Sequence, residues 1–399
     1  MILTLDTGSF GSTPTAITKL REHFQHLSER RPDTFIRYVY PKLLLEARKS
    51  LAAFLHAPPQ TIAFVTNATT GINTVLRGLE YEAGDHILYF DFIYGACGNT
   101  VEYVAESTAA TALRVEVSLP LTDDALETSM RAAIAGVASG RVRVAVFDTV
   151  VSVPGMVLPY ERLVRVCREL GVLSLIDGAH GVGFLDLDLG ALDPDFFTSN
   201  CHKWLYAPRG CAVLYAPARN QALLRSTLPT SWGYAPPACA YVPLPPAADS
   251  DAWAGSFAFV GTTDASPYLC VPGVLRLREW LGGEERIREY TYSIAHAGAE
   301  IFRKRLGTEI MYVGSETGMY NIRLPLAEEE VPVDVRGKVE AWLTGQMDSL
   351  GTYVTLLKYK GAWWFRVSGQ IYLEESDFVK GAELMESLVA KVKSGEWLV

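Results

Sequence analysis

The sequence predicts an α/β protein: a mostly parallel sheet sandwiched by helices, followed by a smaller α+β domain at the C-terminal end. Three observations predict it. Short runs rich in Val, Ile, Leu and Phe recur at 62–65, 87–90, 142–147, 172–176, 196–198 and 211–215, and helix-length segments separate them. Apolar strands that alternate with helices are the pattern of a parallel sheet covered on both faces. A chain of 399 residues also exceeds the usual size of one core, so two domains are expected. Beyond about residue 270 the pattern changes to strands at 319–324, 353–358 and 363–367 with helices at 335–350 and 376–392. The expected partition is an N-terminal segment 1–13, a large domain 14–270 and a small domain 271–399, the last joined by part of the N-terminal segment.

Taken in order, residues 14–57 read as helices. Pro14 stands near a helix start, and Leu43, Leu44, Ala47, Leu51, Phe54 and Leu55 recur at helical spacing. The segment 160–170 places Leu163, Val164, Val166 and Cys167 on one apolar side. Residues 234–249 carry Pro236, Pro237, Pro243, Pro245 and Pro246 and read as an exposed loop. A long helix is expected from about 272 to 306, broken at Gly282-Gly283.

Composition excludes several functions. A net charge of −9 opposes an electrostatic grip on nucleic acid or an anionic membrane. Six Cys are too sparse for a secreted disulfide scaffold, and no CxxC pair or His/Cys cluster has zinc spacing, so no metal is expected. The start, MILTLDTGSF, lacks the marks of a secretory signal, and no run of about 20 apolar residues reads as a membrane span. A cytoplasmic protein is expected. Neither G-x-G-x-x-G after a strand, nor a P-loop, nor a G-x-S-x-G elbow occurs.

The chemistry gathers at two strand ends. One reads L-S-L-I-D-G-A-H and places Asp177 and His180 just after a buried strand; the other reads F-F-T-S-N-C-H-K-W and places Lys203 after the next one. In a parallel sheet such ends share one edge, where ligands bind. A lysine in a partly desolvated pocket is an amine nucleophile for aldehydes. An aspartate opposite it can hold a proton on a pyridine nitrogen and so create an electron sink. Those are a protein's tasks with pyridoxal phosphate; a structural Asp–Lys ion pair is the other reading. A phosphate cradle is offered by T-N-A-T-T-G, where the N–H groups of Ala68, Thr69 and Thr70 open a helix after a strand and the Thr69 hydroxyl can donate. An ordinary helix cap explains the same residues. Tyr94 could stack on a ring or belong to the core. Arg366, inside the apolar strand W-W-F-R-V, needs an anion, either a substrate carboxylate or an internal partner.

Together these motifs resemble the class V aminotransferase-like family of fold-type I pyridoxal phosphate enzymes, over about residues 6–380. The order Asp177-x-x-His180, S-N-C-H-K at Lys203, Gly261-Thr262 and Arg366-x-Ser368 carries the resemblance. So do G-S-F-G at 8–11, F-I-R-Y at 35–38, I-Y-G-A-C-G at 93–98, P-R-G-C-A-V at 208–213 and F-V-G-T-T-D at 259–264. They are similar to the fungal subgroup with hercynylcysteine sulfoxide lyase, isopenicillin N epimerase-like proteins and loline-type cyclases.

The resemblance implies a seven-stranded sheet, with the N-terminal segment at the active site. Lys203 would carry the cofactor aldehyde and move the Cα proton. Asp177 would pair with the pyridine nitrogen, His180 would sit near the phenolic oxygen, and Tyr94 would cover the ring. Ala68, Thr69 and His202 would hold the phosphate, and Ser152 would join the cofactor contacts. Gly261 and Thr262 would reach a neighbouring subunit's phosphate, which implies a homodimer with shared sites. Arg366 would bind the substrate α-carboxylate, with Thr7, Phe10, Arg37 and Trp232 at the substrate end. Asp6-Thr7 replaces the Asn-His of the ergothioneine-type lyases and Trp232 replaces a His, so the substrate end is altered while the cofactor end is kept. The last cysteine is Cys270, which speaks against a desulfurase with a later catalytic cysteine. The implied activity is a lyase or cyclase of specialised amino-acid metabolism. Cα deprotonation would be followed by ring-forming carbon–carbon bond formation of the Mannich type, or by β-elimination with C–S lysis. Epimerisation and true transamination are the alternatives, and a non-enzymatic cofactor-binding protein is a further one. The partner is a small amino-acid-derived substrate, with neither nucleic acid nor membrane.

Overall fold

Alternating apolar runs fold into a seven-stranded sheet in the order β1-β9-β8-β7-β4-β2-β3. The computed structural model describes residues 3–224, 252–311, 317–327 and 330–398; the Pro-rich stretch 234–249 and Trp232 lie outside them. The strands are β1 (Ile62–Val65), β2 (Asp85–Phe90), β3 (Thr111–Val115), β4 (Arg141–Asp148), β7 (Leu173–Asp177), β8 (Phe196–Asn200) and β9 (Ala212–Tyr215), with a short hairpin of β5 (Val150–Val151) and β6 (Met156–Val157) between β4 and β7. Neighbours pair parallel except β9, which runs antiparallel to both β8 and β1. The sheet is mostly parallel, as expected; β9 is the exception, because the link from Asn200 to Ala212 is too short to hold a crossover helix. Since β9 reverses twice, β1 runs with β8. The C-terminal ends of β1, β4, β7 and β8 therefore share one edge.

Chain contacts divide the protein into a larger unit, Phe10–Val150 with Leu158–Trp280, and a smaller one, Met1–Ser9 with Val151–Val157 and Leu281–Val399. The division falls at Trp280/Leu281, ten residues past the expected 270/271. The helix Val271–Trp280 belongs to the larger unit, where Gly273 abuts Leu20 so closely that a Cβ would sit 2.4 Å from it.

The larger core packs Ile72, Val75 and Leu76 of the helix Ala68–Gly78, and Val101 and Val104 of Gly95–Ser107, on Val144, Val146, Leu175, Phe196 and Leu214 of the sheet. The helix Tyr160–Leu170 buries the four side chains its spacing predicts and ends at Gly171, whose φ of 68° favours glycine. The helical stretch Thr15–Phe54 is interrupted by a wide turn at Phe35–Val39. Pro41 there has no N–H to return to the Arg37 carbonyl.

In the smaller unit, β10 (Met319–Arg323), β12 (Ala362–Ser368) and β11 (Thr355–Tyr359) form an antiparallel sheet in that order. The helices Glu284–Leu306, Arg336–Ser349 and Glu375–Lys393 complete the core around Phe302, Phe365, Phe378 and Met385. Leu3 and Leu5 enter this same core. The expected break at Gly282-Gly283 is present, with φ of 110° and 88°.

Candidate active site

The site begins at the shared edge of the larger sheet. Asp177 ends β7 in register with Asp148 of β4 and Thr198 of β8, and it is buried. Its Oδ1 accepts the Ala179 N–H at 2.9 Å, and its Oδ2 accepts the Cys97 thiol at 3.1 Å. Burial, with the Asp177 charge beside it, holds that thiol far above its usual range, so it stays protonated and donates. Beyond β8, Lys203 Nζ lies 3.0 Å from His180 Nε2, and the Trp204 indole N–H reaches His180 Nδ1 at 3.0 Å. Gly11, of the G-S-F-G run, lies against this turn at φ +67°; a Cβ there would fall 1.7 Å from the His202 carbonyl oxygen. Only glycine lets the segment pass so close to the lysine's backbone.

The anion cradle is smaller than the sequence predicts. The N–H of Ala68 donates to Asn200 Oδ1 at 2.9 Å, and that of Thr70 to Asn67 Oδ1 at 2.8 Å. The helix cap and a neighbouring strand end therefore take two of the three expected donors, because buried N–H groups find fixed partners first. Thr69 keeps its N–H and hydroxyl, and His202 is the remaining phosphate candidate.

His202 Nδ1 faces the Cys211 carbonyl at 3.3 Å and donates to it, since a carbonyl only accepts. Burial, then the Lys203 charge, lower its pKa from 6.5 to about 4, so it is neutral at pH 7. Between those two values the unfolded chain binds the extra proton. Stability is therefore full above pH 6.5 and is lost as pH falls toward 4. His202→Gln removes this loss: between pH 7 and pH 4 the variant should lose up to about 3 kcal/mol less than the parent in urea titrations. Parallel pH curves for the two proteins would contradict the assignment.

One acid escaped the sequence reading. Asp148 lies beside Asp177 and is 3% exposed, and its Oδ2 has no hydrogen-bond partner among the described residues; neither does Thr149 Oγ1. The signal was available in V-F-D-T, an acid closing an apolar run as in L-I-D-G. Burial, and then Asp177, push the Asp148 carboxyl well above its usual range, against a smaller opposing pull from Lys203. The folded chain thus holds this proton more tightly than the unfolded chain, so its contribution to stability falls as pH rises past about 3.8. Asp148→Asn mimics the protonated acid. The variant should gain on the parent as pH rises from 4 to 7, read from melting curves at each pH; a variant that loses ground on the parent over that range would refute this.

The other expected residues lie on further elements of the two units. Tyr94 is 50% exposed at the start of the helix Gly95–Ser107, which removes its core reading and leaves its ring accessible. Gly261 and Thr262 border a cavity of about 540 Å³ that Phe24, Tyr40 and Tyr268 also line. Phe10 is exposed, and exposed Arg37 pairs with Asp33 at 3.9 Å. In the smaller unit, the Thr7 hydroxyl meets Tyr372.

Arg366, also in the smaller unit, is 1% exposed and has an internal partner, Asp6. Nε donates to Asp6 Oδ1 at 2.9 Å, and Nη2 to Asp6 Oδ2 at 3.1 Å and to Ser9 Oγ at 2.6 Å. Nη1 donates to the carbonyl and hydroxyl of Ser152. Every guanidinium nitrogen is engaged within the unit. Ser152, expected among the cofactor contacts, serves Arg366 here. Trp232 lies outside the described residues. No group of three potential metal ligands occurs among the described residues.

The donor set fits pyridoxal phosphate. A lysine amine, an aspartate at a sheet edge, orphaned acid and hydroxyl oxygens beside it, and the open Thr69 donors meet an aldehyde, a ring nitrogen and a phosphate in turn. The sheet order and this strand-end lysine with its aspartate define a fold-type I pyridoxal phosphate enzyme.

Comparison places the chain more narrowly. The model of the family Aminotransferase class-V matches residues 37–233. The chain is 34% identical to the L-cysteine desulfhydrase-like protein lolT1 of Epichloe uncinata, over 98% of this chain and 94% of that protein. It is 29% identical to hercynylcysteine sulfoxide lyase of Schizosaccharomyces pombe, over 96% and 93%. Among solved structures, the cystine C-S lyase C-DES, in complex with its product cysteine persulfide, matches with a TM-score of 0.77 at 20% identity over 97% of each chain, a likeness of fold. The chain belongs to the class V aminotransferase family, and its cofactor is pyridoxal 5'-phosphate.

Proposed function

We propose that this protein removes the α-proton of a cysteine-derived amino acid and then expels the sulfur substituent from the β-carbon, without net transamination. One observation carries the reading: the Lys203 amine lies 3.0 Å from an imidazole nitrogen in the same strand-end cluster as Asp177, in a chain whose relatives bear desulfhydrase-like and sulfoxide lyase names. Bound pyridoxal phosphate supplies an aldehyde that takes the substrate amine and a heterocycle that accepts the electron pair released at Cα. Lys203 takes the α-proton at Nζ. Asp177, held by Ala179 and Cys97, keeps the ring nitrogen protonated. The C–S bond then breaks with its electron pair leaving on sulfur, and water releases the keto acid and ammonia. Tyr94 would cover the ring, Thr69 and His202 would hold the phosphate, and Phe10 would stand at the substrate end.

A homodimer in the cytoplasm is part of this proposal; it is supported by the exposure of Thr262 beside its cavity and by the resemblance of Gly261-Thr262 to a subunit-bridging motif. The ring-forming alternative shares the first proton transfer and diverges when the electron pair attacks an electrophile within the substrate. The test is product analysis. Holoenzyme given cysteine, S-alkylcysteines or their sulfoxides should release sulfide, thiol or sulfenate respectively, each in equal amount with keto acid. Accumulation of pyridoxamine phosphate instead would make the protein a transaminase.

A further inference from the structure

The indole of Trp204, next in the chain to Lys203, is 2% exposed, and its N–H reaches His180 Nδ1 at 3.0 Å. An indole nitrogen only donates, so Nδ1 carries the lone pair. A neutral imidazole then carries its proton on Nε2, and Nε2 is the atom 3.0 Å from Lys203 Nζ. That N–H donates in turn, so the lysine accepts and is a free amine in this arrangement. The indole is well braced. The Phe184 ring lies 4.3 Å from it, and its own backbone carbonyl accepts from buried Arg278 at 2.7 Å.

We propose that Trp204 is a positioning residue which, by fixing the tautomer of His180, holds Lys203 as the free amine that attacks the cofactor aldehyde. This rests on the assignment of Lys203 as the amine that carries the cofactor. A free amine and an aldehyde give a C=N bond and one water with no proton left over, whereas an ammonium must first lose its proton. The groups facing Lys203 make the device necessary. Asp177 on β7 favours an ammonium, burial and Asp177 hold the proton on Asp148 of β4, His202 beside it is neutral, and the Cys97 thiol is protonated. The His180 N–H, 3.0 Å from Nζ, favours the amine.

Trp204→Phe keeps the ring and deletes the donor. His180 is then able to turn its lone pair toward Lys203 and accept from an ammonium. The rate at which the cofactor-stripped full chain develops the visible band of lysine-bound pyridoxal is the readout, measured against pH. The midpoint of that profile should move up by about one pH unit, about tenfold in the amine's proton equilibrium and the size of one net hydrogen bond. The high-pH plateau should be unchanged. An unshifted midpoint overturns the proposal. Nitrogen NMR of isotope-labelled histidine in the unsubstituted full chain keeps it falsifiable if the variant does not fold. It should show His180 protonated at Nε2, and protonation at Nδ1 overturns the proposal. Band formation in Lys203→Ala would instead defeat the assignment of the lysine, leaving the tautomer measurement untouched.

Discussion

Lys203→Ala is expected to lose covalent cofactor attachment and to lower turnover at least about a thousandfold, since the same amine anchors the cofactor and moves the substrate proton. Borohydride reduction followed by peptide mass analysis reads the first effect: the parent should carry a pyridoxyl group on residue 203 and the variant none. Steady-state product release reads the second. The fold should survive, because the lysine lies in the turn after β8, outside the strands and helices that carry the apolar core of Val144, Leu175 and Phe196. An alanine variant with a normal melting curve and near-parental turnover would end the assignment of this residue.

Asp6→Ala should destabilise the smaller unit by about 3–5 kcal/mol. The acid is 4% exposed, pairs side-on with the buried Arg366 guanidinium, and also accepts the Thr355 hydroxyl at 2.6 Å and the Thr355 N–H at 3.2 Å. Its removal leaves a buried cation without its counter-charge and strands two further donors. Asp6→Asn keeps a polar partner and should fall short of that loss. The double change Asp6→Leu with Arg366→Met removes both charges and should lie nearer the parent than Asp6→Ala does, since a buried pair gains little over apolar residues of similar volume. Urea titration of all three variants checks the order. A loss below about 1 kcal/mol in Asp6→Ala would show that the pair is not closed in solution.

Much of the site was readable along the chain. Asp177 closes one apolar strand and Lys203 follows the end of the next, and strand ends in a parallel sheet converge whatever their separation in sequence. The Gly282-Gly283 break and the burial pattern of Tyr160–Leu170 were equally local. The failures also have physical causes. Ala68 read as an open donor because Asn200, which takes its N–H, is 132 residues away, whereas the Thr70 N–H goes to Asn67 three residues upstream, a helix cap that the sequence did offer. Asp148 closes its apolar run as visibly as Asp177 does, but its importance lies in strand register with Asp177, which becomes plain only when the two strands pair.

Residue type and period by themselves determined that this chain forms a helix-covered, mostly parallel sheet, and that an acid closes one of its strands while an amine follows the next; the resemblance of its motifs carried the reading as a pyridoxal phosphate enzyme. Those properties depend on side-chain chemistry and on spacings of two to four residues, which a linear string records. Tertiary structure alone decided that Arg366 is answered by an acid 360 residues away, that two carboxylates lie side by side, and which nitrogen of His180 faces the lysine. Each of these turns on distance and direction between groups far apart in the chain, and those are settled only when the sheets and helices pack.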